Sequence, residues 1–170
     1  MLQIRREVFE TNSSSTHSVS IKTGGIIAVC ESYLNVSDDG YIHVELGDFG
    51  WEVESYYEQD VRLSYLLTMA YEKNYDSYSM IEYDDRDYAR KRVERFMSTN
   101  DFNEISEMVA KHASCRGVII DVNGREEGYI DHQSHEDYRT YKDFLREYRL
   151  SAKEFVFGEG VVLHTDNDNH

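Results

Sequence analysis

The sequence predicts an α+β fold. A small antiparallel β-sheet, made of an N-terminal meander and C-terminal strands, packs against about four helices in one domain spanning residues 1–170. Three observations predict it. Short alternating or apolar runs separated by turn residues occupy the first quarter of the chain, breaker-free helical periodicity fills the middle, and β-rich runs around glycines return at the end. With 170 residues, no proline, 14 Tyr and 7 Phe, the chain can bury one core and shows no linker.

The elements follow in order. HSVSIK places Val19 and Ile21 on one face by alternation, IIAVC is a short apolar run, and YIHVEL alternates again. Gly24-Gly25 and Asp38-Asp39-Gly40 separate the three as turns, so an antiparallel meander is expected. VRLSYLLTMAYEK, Val61 to Lys73, is apolar around much of its circumference and reads as a buried helix. A second helix opens on Asp84, Asp85 and Asp87 and closes on Arg90, Lys91, Arg92 and Arg95, the charge order that suits a helix dipole. A third begins after Thr99-Asn100, with Phe102, Ile105, Met108, Val109 and His112 at helical spacing. GVIIDVNG is a strand ending in a turn-forming Asn123-Gly124 pair. Tyr138, Tyr141, Phe144, Leu145 and Tyr148 mark a fourth helix, with Ser134 as its expected N-cap. EFVFGEGVVLH then reads as two short strands around Gly158-Glu159-Gly160, followed by a hydrated polar tail.

Charge limits the function. Eighteen Lys and Arg against 33 Asp and Glu give −15, a surface that repels a phosphate backbone, so direct binding to free DNA is not expected and a basic partner is. No run of about 18 apolar residues exists and MLQIRREVFE has no signal-like apolar core, so a cytoplasmic chain without a membrane partner is expected. Cys30 and Cys115 lie outside any CxxC pair and are expected as buried reduced thiols. His132 and His135 match no zinc spacing, and His164 to His170 lacks the glycine and closing glutamate of a calcium loop. No metal or other cofactor is expected.

Two kinds of site are legible. The charge is concentrated between Lys22 and Arg62, where no Lys or Arg occurs. There Asp38, Asp39, Asp48, Glu52, Glu54 and Glu58 accompany Trp51, Tyr56 and Tyr57, a strip able to enter a Lys/Arg-lined groove, or an ordinary solvated acidic face. The second kind is polar. Glu10 precedes Thr11, Asn12, Ser13, Ser14, Ser15 and Thr16, a run that either satisfies its own backbone in a turn or cradles an anion. His17 follows it. Paired with His132, which Asp131 is placed to orient, it would suit acid/base cleavage of a phosphodiester.

The string IRREVFETNSSSTHSV resembles the start of a group of small proteins carried by phages and mobile elements of Gram-positive bacteria, and GYIDHQS and FGEGVVLHTDND resemble its later segments. Residues 45 to 115 or so have no counterpart in the resemblance. It implies that the polar segments converge as one site holding Glu10, Asn12, Ser13, His17, Asp131, His132 and Asn167, in the cytoplasm of an infected host. By analogy of class, small acidic phage proteins are similar to anti-CRISPR inhibitors. The function expected is therefore an inhibitor that binds the basic nucleic-acid channel of an RNA-guided Cas nuclease and blocks guide or target. The alternative is a metal-independent phosphodiesterase or ribonuclease using His17 and His132.

Overall fold

A computed structural model describes residues 17–22, 27–50, 53–74, 86–122, 128–130 and 138–167; for 17–22, 86–88 and 166–167 the backbone alone is described. The α+β class holds. Among the described residues there are seven strands, β1 (His17–Lys22), β2 (Ile42–Val44), β3 (Asp48–Phe49), β4 (Glu54–Tyr56), β5 (Val118–Ile120), β6 (Tyr129–Ile130) and β7 (Val162–Asn167). The helices are α1 (Gln59–Asn74), α2 (Arg86–Phe96), α3 (Asn100–Ala113), α4 (Tyr141–Glu147) and α5 (Ala152–Phe157).

Helix α1 is the hub of the core. Its apolar residues run around most of the cylinder, and Leu63, Tyr65, Leu66, Leu67, Met69 and Ala70 are all wholly buried. It touches α2, α3, α4, α5, β2 and β6. Val93 and Phe96 of α2, and Phe102, Ile105 and Val109 of α3, enter the same core. Thr99 caps α3, its hydroxyl accepting the Phe102 N–H, as the Thr-Asn start anticipates.

The strands pair differently from a meander. β7 is the middle of an antiparallel sheet ordered β1-β7-β4, while β2 and β5 form one parallel pair and β3 and β6 another. Hydrophobic alternation identifies strands and their apolar faces but carries no partner identity. Ile42 lies against Val118 and Val44 against Ile120, all four buried, so β2 finds its apolar match in β5. β1 pairs with the C-terminal strand in a register that sets Val19 opposite Thr165 and Ile21 opposite Leu163.

The IIAVC run is not a strand in a meander either. It makes one bridge, Val29 to Gly158, and a strap in which the Cys30 N–H bonds the Phe157 carbonyl at 2.9 Å and the Glu159 N–H bonds the Ala28 carbonyl at 2.7 Å. The strap lies close against Gly158. A Cβ there would collide with the Glu154 carbonyl and reach within 2.6 Å of Ile27, so glycine is required by packing.

EFVF, expected as a strand, is helix α5. Ser151 accepts from the Glu154 N–H while the Glu154 carboxylate accepts from the Ser151 N–H, a reciprocal capping box that overrides the β-propensity of Phe and Val. Helix α4 is shorter than expected and is capped by Thr140; Ser134 lies outside the described residues, as do Asn123-Gly124 and Asp84-Asp85. β7 carries the chain as strand as far as Asn167. Cys30 and Cys115 are unbridged but half-buried, not fully buried. Among the described residues no helix is long and apolar enough to cross a membrane.

Candidate functional site

An open groove of about 990 Å³ runs between the chain from Tyr33 to Phe49 and the first turns of α1, with Gly158 to Val161 at one end. Its floor is apolar, with Leu34, Ile42, Val44 and Phe49 all buried beneath it. Two tyrosines stand at its rim, Tyr33 78% and Tyr57 64% exposed. Its ionisable lining comprises the carboxylates of Glu45, Glu58, Asp60 and Glu159 with Arg62 and His43.

Helix α1 builds both walls. Gln59, at its first position, accepts the Tyr33 N–H at 2.8 Å and donates to the Glu31 carbonyl at 2.9 Å, fixing the rim segment. Ser64, one turn on, donates to the Glu45 carbonyl at 2.7 Å, and Thr68 accepts the Gly47 N–H at 3.2 Å, fixing the opposite wall. The groove is thus framed by a rigid element.

Arg62 is 3% exposed. Its Nη1 donates to the carbonyls of Gly158 and Val161 at 3.1 and 2.9 Å, and its Nε is buried with no acceptor. Burial lowers the guanidinium pKa, opposed by Cys30 and Glu58, but arginine remains charged. Its directional contacts go to backbone. Glu58, Asp60 and Glu159 make no ion pair among the described residues, so the groove is electronegative.

His43 sits on the β2 wall between two carboxylates. Its Nδ1 is 2.9 Å from Asp121 Oδ1, and its Nε2 is 3.0 Å from Asp39 Oδ2. Asp121 first, then Asp39, raise its pKa. Asp39 is lowered in turn, by the Tyr41 N–H first and by His43 next. Both ring nitrogens are engaged, so this imidazole is a clamp between β2, the turn before it and the chain after β5, with no free nitrogen for proton transfer.

Of the expected contact strip, Tyr57 and Glu58 line the groove. Asp38 and Asp48 are exposed outside it, and Asp39 belongs to the histidine clamp. Glu54 is exposed on β4 and accepts from the Tyr56 hydroxyl, while the Tyr56 ring stands edge-on to Phe49 at 5.8 Å, a half-buried packing role. Trp51 and Glu52 lie outside the described residues. Sequence reading missed Tyr33, Glu159 and His43. Only the Asp39-to-His43 spacing hinted at the clamp, and Asp121 is 78 residues from His43 in the chain.

The polar segments are described in part. The β1–β7 register sets His17 opposite Asn167. Glu10, Asn12, Ser13, Ser14, Ser15, Thr16, Asp131 and His132 lie outside the described residues. On the other edge of β7, Ser55 Oγ is 2.8 Å from His164 Nδ1 across the strand pair, a solvent-exposed hydroxyl–imidazole bond. Among the described residues no group of three or more His, Cys, Asp or Glu is arranged to hold a metal. Against protein-family models, curated proteins and solved structures, the chain has no match.

Proposed function

We propose that the protein is a phage-encoded interaction protein that binds the Lys/Arg-lined nucleic-acid channel of an RNA-guided Cas nuclease and blocks guide or target. One observation carries the reading: Glu58, Asp60 and Glu159 converge, without described ion-pair partners, on a groove rimmed by exposed Tyr33 and Tyr57. Exposed carboxylates steer a basic surface into encounter, and exposed aromatics supply contact area at low entropic cost. The resemblance of FETNSSSTHS to phage and mobile-element proteins supplies the setting.

The test is association of the full chain with a purified nuclease–guide complex at two salt concentrations. Affinity should weaken by about tenfold or more from low to physiological ionic strength. Absence of association, or association indifferent to salt, removes the reading.

A second reading is a phosphodiesterase with His17 and His132 as acid and base, starting from the backbone register that sets His17 opposite Asn167. In the same preparation, loss of RNA cleavage in His17→Ala or His132→Ala with partner binding intact would select it.

A further inference from the structure

We infer that the groove is a receptor for an extended peptide segment bearing Arg or Lys, supplied by a protein partner. The inference rests on the reading above and changes its geometry: the carboxylates line a concavity, so the partner's basic segment enters this protein.

Charge complementarity names the occupant's side chains. Four carboxylates, Glu45, Glu58, Asp60 and Glu159, share the lining with Arg62 and His43; Arg62 is directed at the Gly158 and Val161 carbonyls and His43 is held between Asp39 and Asp121. A nucleic acid would be repelled by the same four groups. Tyr33 and Tyr57 offer ring faces at the rim, and guanidinium over tyrosine is a contact this chain already makes, with Arg116 4.8 Å from the Tyr41 ring centre.

The occupant's main chain has a partner of its own. Among the described strands β2, which forms part of the wall, is paired on one edge only, which suits an extended chain. The buried apolar floor accepts the aliphatic stems of Lys or Arg.

The experiment titrates the full chain with a short fluorescein-labelled peptide alternating Arg and Gly, beside a control with Glu in place of Arg. Glu58→Gln with Asp60→Asn removes groove charge; Glu107→Gln with Glu147→Gln removes the same charge from α3 and α4. The Arg peptide should bind and the Glu peptide should not. The groove pair should weaken binding by about tenfold and the distant pair by less than about twofold. Amide shifts should centre on Gly47, Gln59 and Gly160. Equal losses from both pairs would overturn the groove assignment, since the net charge alone would then be responsible. Failure of the peptide to bind while the nuclease complex still associates would overturn it too, leaving the broader function intact. Peptide binding without nuclease association would uphold the groove and remove the Cas partner.

Discussion

His43 carries a carboxylate at each ring nitrogen, and that arrangement couples the groove wall to pH. Its folded pKa is raised above the ordinary imidazole value of 6.5, by Asp121 first and Asp39 second. Folding therefore gains stability from the imidazolium below the unfolded value and loses it as pH rises through the folded one. Asp39 acts in the opposite sense. Its folded pKa lies below 3.8, so its contribution is present above that value and disappears as pH falls through the folded one. The clamp is complete only between these limits. Arg116 reinforces it by donating to the Asp39 carbonyl at 3.2 Å. Denaturant midpoints should decline above pH 6.5, and His43→Gln should flatten that limb; its ring proton resonance should titrate above 6.5. A His43 titrating at or below that value would contradict the clamp. Nothing local in IHV announces this role, because Asp121 reaches His43 only through the parallel β2–β5 pair.

Helices show where local sequence suffices and where it misleads. α1, α2 and α3 were legible because each combines uninterrupted periodicity with start or stop chemistry, and Thr99 serves as the cap its position suggests. α5 was not legible from its apolar residues, since a short run of Phe and Val fits strand as well as buried helix. The deciding signal is Ser151 with Glu154 three residues on, a start pattern that outweighs the β-formers following it. That box makes a prediction. Ser151→Ala removes the hydroxyl that accepts the Glu154 N–H and should cost about 1 kcal/mol, lowering the thermal midpoint by about 2–4 °C. A change within error would mean that burial of Phe155, Val156 and Phe157 alone holds the helix. Because α5 ends at Gly158, whose carbonyl takes the Arg62 bond, fraying should also disturb the groove.

At the scale of the whole molecule, composition and periodicity predict the class but not the topology. The alternation of β1, β2 and β5 is visible locally; that β1 pairs with the last strand and β2 with β5 depends on partners far away in the chain. The groove was half visible for the same reason. Tyr57 and Glu58 belonged to the acidic interval, whereas Glu159 joins them from the far end of the chain through the Arg62 contacts to Gly158 and Val161. Net charge is the one global property read directly, and it sets two responses of opposite sign. At −15 the folded chain repels itself, and compaction raises that repulsion relative to the unfolded state. Screening has a Debye length of about 10 Å at 0.1 M salt, shorter than most separations across a domain of this size. Raising ionic strength from about 10 mM to about 150 mM should therefore raise the thermal midpoint while it weakens association with a basic partner. Paired melting and binding measurements across that range check both. If the midpoint falls instead, attractive surface pairs such as Lys142 with Glu104 outweigh the net repulsion, and the charge cannot be treated as a single-signed field.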